Sequence, residues 1–330
     1  MNLIRSRMAS FLKYCATVLL SAALMSGMSS CIFEYGDDCP DRLVVTVLND
    51  WTAAPTAAPG GMAYIFMPAD GSAPWRYDFP GRDAGAVLLP PGQYSFLSFN
   101  DDTYNIRFHD EAGYDGYEFY TVSGELPAGV TATEPVLSCP DMMWGCAYGC
   151  VEVGYEALSY VPVATPEGHE RSVVSTRFEL LALQRPLTAR YRFRITDISN
   201  LEGVRSMSAS LSGMAGSLYP ATGRKGNYPS TLALKAARTA DDAVGGDFFT
   251  FGIPANPSAR NVLSLMVVLT DGRGYCYDFD VTEQVRRAPD PMDVTLLISG
   301  LVIEPSESDE PSGFDVSVDG WETVVVNYTD

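Results

Sequence analysis

The sequence predicts an all-β protein made of two tandem Greek-key β-sandwich domains. Composition gives the first indication, because 18 Tyr, 15 Phe, 22 Pro and 29 Gly in 330 residues are typical of short strands joined by turns. Alternation of apolar and polar residues in many short runs gives the second. The third is that helical periodicity is weak and confined to Val281–Arg287.

The first 30 residues predict an export signal. Three basic residues precede an apolar run, Tyr14–Met25, that is too short to span a bilayer. Small residues then precede Cys31 in a segment that resembles a bacterial lipobox. We therefore expect residues 1–30 to be a lipoprotein signal peptide and Cys31 to carry the acyl chains, palmitate among them, that hold the protein at a membrane. The alternative is an ordinary signal peptide cleaved near Ser29, with Cys31 a plain thiol.

The charge of the chain excludes some partners. The sequence has 22 Lys and Arg against 41 Asp and Glu, a net charge of −19. A surface this acidic repels nucleic acid and anionic headgroups, so we expect neither as a partner. No second apolar run of spanning length follows the signal. The predicted protein is therefore attached to a membrane only through its N-terminal lipid.

Five cysteines lie beyond the signal and Cys31, namely Cys39, Cys139, Cys146, Cys150 and Cys276. An exported protein can form disulfides, but five cysteines cannot all pair within one chain. The cluster of three in the middle has spacings that differ from paired C-x2-C zinc motifs, and neither His109 nor His169 adjoins it. We expect no metal, and both a disulfide among the three and buried free thiols remain open.

The first predicted domain covers residues 31–165 and begins with a clear strand. Leu43, Val45 and Val47 point to one face, and Val44, Thr46 and Leu48 to the other. Further strands are predicted at 62–68, at 75–79 and on both sides of Pro90-Pro91-Gly92, which sets a tight turn. The Leu-Pro-x-Gly-x-Tyr pattern at this turn resembles that of transthyretin-like β-sandwich modules, in which the tyrosine ring packs under the turn.

An acidic, tyrosine-rich segment follows, with carboxylates at Asp101, Asp102, Asp110, Glu111 and Asp115. A calcium loop or a glycan-binding face is one interpretation, but the spacing fits no EF-hand. The simpler interpretation is a solvated acidic loop. If the protein binds glycans, Trp75, Tyr104 and Tyr117 are the aromatic residues expected to stack on the sugar.

The second predicted domain covers residues 171–303, after a polar break at 166–170. Arg190, Arg192 and Arg194 alternate with apolar residues on one strand, and we expect them to pair with carboxylates on neighbouring strands rather than to bind an anionic glycan. The serines between glycines at 207–218 do not form G-x-S-x-G, so no serine nucleophile is predicted. Residues 304–330 form an acidic linker and a terminal strand, which we expect to pair within its own domain.

The residues around Cys31 also carry a family resemblance. The run from Cys31 to Cys39-Pro40, then Leu43–Val47 and Asp50-Trp51, resembles the fimbrillin-associated anchor and minor-subunit lipoproteins of Bacteroidetes. Segments at 140–145, 210–217 and 249–252 resemble a domain of unknown function from the same kinds of lipoprotein. The resemblance implies a protein lipid-anchored at the outer membrane that acts as a fimbrial anchor or accessory subunit.

Two functions from different classes are therefore considered. The first is the fimbrial role, with fimbrial subunits as partners docked by β-strand addition. The second is a surface carbohydrate-binding lipoprotein. No catalytic motif occurs, so we expect neither enzymatic activity nor a cofactor. An unpaired edge strand in the structure would favour the fimbrial function, and an exposed aromatic platform would favour glycan binding.

Overall fold

The computed structural model describes residues 42–109, 113–154, 158–164, 170–176, 178–257, 260–306 and 321–326, with the side chains of all but 158–176. Within these ranges β-strands dominate, which confirms the predicted all-β class. The helices of the described residues are two short ones, α1 (Gly113–Gly116) and α2 (Thr282–Arg286), and a 3-10 turn at Leu201–Gly203. The second helix lies where the sequence shows its weak helical periodicity.

Twelve of the described strands precede residue 184. They are β1 (Leu43–Asp50), β2 (Gly61–Pro68), β3 (Trp75–Pro80), β4 (Ala86–Leu89), β5 (Gly92–Asn100), β6 (Ile106–His109), β7 (Glu118–Thr121), β8 (Val136–Ser138), β9 (Trp144–Val153), β10 (Leu158–Ala164), β11 (Glu170–Thr176) and β12 (Phe178–Leu183).

Twelve more strands follow. They are β13 (Arg185–Pro186), β14 (Ala189–Thr196), β15 (Val204–Ala215), β16 (Ser217–Tyr219), β17 (Arg224–Lys225), β18 (Pro229–Lys235), β19 (Ala237–Ala240), β20 (Ala243–Thr250), β21 (Val262–Leu269), β22 (Gly274–Asp280), β23 (Asp293–Ser299) and β24 (Trp321–Val325).

A five-stranded sheet and a three-stranded sheet enclose the first core. Their strand orders are β13-β9-β5-β2-β3 and β12-β1-β4. Leu43, Val45 and Val47 face this core and Leu48 is exposed on the opposite side, so the alternation predicted for β1 is confirmed. Tyr94 is buried under the Pro90-Pro91-Gly92 turn, and its hydroxyl donates to the Pro90 carbonyl at 2.7 Å, as its sequence pattern predicts.

Two other sheets enclose the second core. A four-stranded sheet, β19-β20-β14-β23, lies opposite a six-stranded sheet, β24-β22-β21-β15-β18-β8. Both pairs of sheets fit the β-sandwich class, because residues from the inner faces of two sheets meet in one core.

A third core covers the other face of the five-stranded sheet. Ile65 and Met67 of β2 and Phe99 of β5 pack there against side chains from the β6–β7 and β16 region and against Phe251. Strand β2 is therefore buried on both faces, with six consecutive residues out of solvent. The last sheets are β17-β16-β7-β6 and the β10-β11 hairpin.

The strands do not divide between the sandwiches at one point in the sequence. Strands β12 and β13 lie after residue 171, yet they pair with β1 and β9 of the first sandwich. Strand β8 precedes the predicted boundary and pairs in parallel with β18 of the second sandwich. The sheets of each sandwich therefore take strands from both of the predicted ranges, 31–165 and 171–303. Of the predicted break at 166–170, residues 166–169 lie outside the described residues.

Candidate functional site

The predicted lipidation site, Cys31, lies outside the described residues, together with Cys39, Asp110, Glu111 and His169. Its acylation stays a prediction. Among the helices of the described ranges, none has the length and apolar character that crossing a membrane requires.

The three aromatic residues expected to bind a glycan do not form one platform. Tyr117 is 1% exposed and packs against Phe99, whereas Tyr104 is 86% exposed in a loop. Trp75 packs against the first core, on the opposite face of the five-stranded sheet, with the Arg42 guanidinium 4.8 Å from its ring centroid. A sugar stacks on exposed ring faces, and these residues do not present such a set.

A cleft of about 650 Å³ lies beside Tyr114 and Tyr117. Ile65 and Met67 line it, together with Arg76. The Arg76 guanidinium is paired with Asp78 at 2.9 Å, so its charge is already engaged. The cleft therefore offers an apolar wall rather than a charged recognition site.

Carboxylates in the acidic segment near residue 100 and at Asp141 accept hydrogen bonds that hold loops in place. Asp102 accepts hydrogen bonds from the Gly60 N–H at 2.5 Å and from the Asn100 amide at 2.8 Å. Asp141 accepts the N–H groups of Tyr104 and Asn105, both at 2.6 Å. In the part of the chain that the structure describes, no three His, Cys, Asp or Glu side chains come together as a metal site would require.

Two arginines of β14 pair as expected from the sequence. Arg190 contacts Asp247 of β20 at 3.1 Å, and Arg192 pairs with Asp293 of β23. Strands β20 and β23 are the two neighbours of β14, so these ion pairs link the outer face of the four-stranded sheet.

The Ser-Gly segment of β15 has a structural explanation. Gly213 adopts φ +74° at a β-bulge between Leu211 and Met214, and a Cβ atom there would lie 2.5 Å from the Arg260 carbonyl oxygen. Only glycine fits this conformation without strain. The Ser212 hydroxyl contacts the Arg260 carbonyl at 3.3 Å and accepts the Val262 N–H at 3.0 Å, so it supports the bulge.

The cysteines of the described residues are free thiols. Burial raises the pKa of Cys139 and of Cys276 to about 12 and that of Cys146 to about 11, so all three are protonated at neutral pH. Cys146 faces the first core, whereas Cys150 is exposed at the bulge in the β5–β9 pairing. The sequence left open either a disulfide among Cys139, Cys146 and Cys150 or free thiols, and the structure has free thiols at all three positions.

We expect a thiol reagent at about pH 7 to modify Cys150 in the folded chain and to leave Cys139, Cys146 and Cys276 unmodified, because a thiolate is the reactive form. Peptide mapping by mass spectrometry measures the extent at each position. Unfolding the chain in denaturant serves as the control, since all positions should then react. Modification of Cys146 as fast as Cys150 in the folded state would contradict the burial described here.

Side chains contact the backbone of two edge strands of the first sandwich. The Tyr77 hydroxyl donates to the Leu88 carbonyl of β4 at 2.6 Å. The Tyr148 hydroxyl donates to the Leu181 carbonyl of β12 at 2.9 Å and accepts the Leu183 N–H at 3.0 Å. Unpaired strand edges attract other strands, and occupied backbone groups reduce that attraction.

A third edge strand, β23, is covered in the same way. The Gln284 side-chain amide of α2 donates to the Leu297 carbonyl at 2.9 Å, and its oxygen accepts the Leu297 N–H at 2.8 Å. One amide group therefore occupies both backbone groups of an edge residue. The sequence gives no signal for this contact, because Gln284 looks like any polar residue of a short helix.

The C-terminal strand β24 forms an edge of the six-stranded sheet. It runs parallel to Gly274–Asp278 of β22, which is the pairing within its own domain that the sequence favours. The Trp321 indole N–H donates to the Ala128 carbonyl at 2.7 Å, and its ring lies against Gly129. Val325 is 67% exposed. Within the described ranges, no side chain is bonded to the outer backbone groups of β24, in contrast to β4, β12 and β23.

Comparison with known families gives a match over residues 30–235 to a domain of unknown function, DUF5119. This range covers more than half of the chain. The chain belongs to the DUF5119 family. The match runs from the predicted lipidation site through the first sandwich to β18, so β19–β24 lie beyond the matched range.

Two proteins of Bacteroides ovatus are similar to this DUF5119 chain. Over 133 residues, which are 40% of its length, the chain is 31% identical to a protein of Bacteroides ovatus named as a candidate fimbrium anchoring subunit, Fim4B. The matched segment spans 39% of that relative. A crystal structure of a candidate adhesin from Bacteroides ovatus superposes with a TM-score of 0.61 at 20% identity, covering 82% of this chain and 95% of the other. The second match shows a shared fold.

Proposed function

We propose that this DUF5119 protein is a lipid-anchored anchor or accessory subunit of a fimbrium and that it binds its partner by β-strand addition. The sequence match to a relative named as a candidate fimbrium anchoring subunit carries the proposal. The predicted acylation of Cys31 supplies attachment to the outer membrane, and the two sandwiches supply sheet edges for a partner strand.

The β24 edge is the docking site that the contacts support best. A partner strand adds where outward N–H and C=O groups are available and where side chains can be received on either face. Tyr77, Tyr148 and Gln284 occupy such groups on other edges. Among the described residues, no side chain bonds to the outer backbone groups of β24, and Val325 is 67% exposed.

Binding rather than catalysis is part of the proposal. The described residues with raised pKa values are chiefly buried tyrosines and cysteines within the cores, for example Tyr64 and Tyr191 at about 12. Desolvation is the main cause in both, and neither lies in a cleft with a partner base. The glycan-binding alternative has less support, because Trp75, Tyr104 and Tyr117 lie apart and Tyr117 is buried.

Photocrosslinking in the native envelope tests the docking edge. A photoreactive amino acid at position 325 should give an adduct with another envelope protein, identified by mass spectrometry as a fimbrial subunit. The matched control is the same amino acid at Tyr228, which is 84% exposed and belongs to no strand. Equal adducts from both positions, or none from position 325 in cells that assemble fimbriae, would refute docking at β24.

A further inference from the structure

We infer that the outer face of the β17-β16-β7-β6 sheet is a binding surface for a neutral saccharide chain. The inner face of this sheet packs into the third core through residues such as Phe119 and Leu218, so the alternate residues of each strand point to the other side. This surface is independent of the proposed fimbrial function. Its side chains are His109, Glu118, Tyr120, Ser217, Tyr219 and Arg224.

Two stacked pairs of planar groups lie on this face. The His109 ring stacks on the Tyr120 ring with centroids 4.2 Å apart and planes at 28°, and the Arg224 guanidinium lies 3.7 Å from the Tyr219 ring centroid. The C–H groups of a sugar ring pack on planar groups of this kind. Because each group is already held by its neighbour, little side-chain freedom is lost when a ligand binds. His109 is on β6 and Arg224 on β17, about 14 Å across the sheet, a span that suits a short chain better than a single sugar ring.

A carboxylate, Glu118, lies between the two stacked pairs. The His109 Nδ1 atom is 3.3 Å from its oxygen. Burial acts to raise the pKa of Glu118, but hydrogen bonds from Ser217, His109 and Tyr219 outweigh it and lower the pKa overall, so the group is ionised at neutral pH. An ionised carboxylate accepts about four hydrogen bonds. Three donors therefore leave room for one more, which a sugar hydroxyl can supply.

A shallow depression lies beside the two tyrosines. Ser217 is opposite Tyr120, and the Gly226 N–H bonds to the Ser217 carbonyl at 2.9 Å on the next strand position. A Cβ atom at Gly226 would lie 2.5 Å from the Ser217 hydroxyl oxygen, so the close approach of the two residues requires glycine. A small residue and a glycine next to Tyr120 and Tyr219 leave space for a ligand between the rings and the edge of the sheet.

The charges on this face favour a neutral ligand. An acidic sugar would place a second carboxylate beside Glu118, in a chain whose net charge is already −19. Arg107, which also points outward from β6, donates to the carbonyls of Tyr104 at 3.0 Å and Ile106 at 2.8 Å. Its N–H groups are thus partly engaged within the chain. Hydroxyl groups are the ligand groups that suit what remains.

The test uses the full-length chain in a detergent without a sugar headgroup. Maltohexaose, xylohexaose and mannohexaose are the neutral probes, and hexagalacturonate is the acidic probe. Saturation-transfer NMR detects binding and calorimetry measures the affinity. We expect at least one neutral probe to bind, and Tyr120→Ala and Tyr219→Ala each to weaken it by about tenfold, because one aromatic contact contributes up to about that factor. Tyr219→Phe keeps the ring and should retain most of the affinity.

Matched arginine variants give the control. Arg224→Ala should weaken binding, whereas Arg190→Ala, which removes an exposed arginine from the outer face of a different sheet, should not. Circular dichroism confirms that each variant is folded. No binding of any neutral probe, or equal binding by the unchanged protein and a folded Tyr120→Ala, Tyr219→Ala double variant, would overturn the saccharide surface. Tighter binding of hexagalacturonate than of every neutral probe would overturn the neutral class of ligand.

Discussion

Replacing Cys31 with Ala should move the protein from the membrane fraction to the soluble exported fraction. The substitution removes the predicted acylation site and leaves the basic and apolar export signal intact. Each methylene of a buried acyl chain contributes about 0.8 kcal/mol to membrane binding, so loss of the chains leaves an acidic protein with little affinity for a bilayer. Fractionation followed by a high-salt wash and immunoblotting measures the change.

The matched control for this experiment is Cys150→Ala. Cys150 is an exposed cysteine on β9, so its loss should leave membrane retention unchanged. Mass spectrometry of the N-terminal peptide adds a direct readout of acylation. A Cys31→Ala protein that stays with the membrane after the salt wash would show that lipid at this position is not the anchor.

Deleting residues 321–330 should reduce the free energy of unfolding by about 2–4 kcal/mol. The deletion removes Trp321, which bonds to Ala128, together with Val324 and Val326, which pack against the second core. It also leaves the outer backbone groups of β22 exposed. Denaturant unfolding of the purified protein measures the loss, and deletion of only residues 327–330, beyond β24, is the control.

The same deletion separates two roles of the tail. If β24 mainly completes its own sheet, the shortened protein is less stable, and any loss of partner binding accompanies the loss of stability. Full stability with loss of partner capture would instead mean that the tail is a docking strand with no part in the fold, which contradicts the pairing described here.

Alternation within single strands predicted much of the fold. In β1 and β14 one face of the strand is buried and the other is solvated. Because side chains alternate between the two faces of a strand, the sequence pattern predicted both the strand and the face that is buried. The two arginine pairs of β14 followed from the same argument, because their carboxylate partners had to lie on adjacent strands.

Contacts between distant segments escaped prediction. The burial of Ile65 and Met67 depends on Leu218 and Phe251, which lie in the second half of the chain and carry no local sign of that contact. The hydrogen bonds from the Tyr148 and Gln284 side chains to edge strands depend on which backbone groups face outward at each edge. The pairings of β8, β12 and β13 with strands on the other side of the predicted domain break carry no local signal either, because strand pairing is set by the whole fold.

The parallel pairing of β1 with β12 determines how the protein should respond to mechanical load. Six residue pairs from Val45↔Phe178 to Asp50↔Leu183 join the two strands, and β4 pairs with β1 on its other side. Acylation at the proposed Cys31 position would transmit tension to β1 through the chain that precedes it. A tension directed along β1 would load the backbone hydrogen bonds of these six residue pairs together in shear, instead of breaking them one after another.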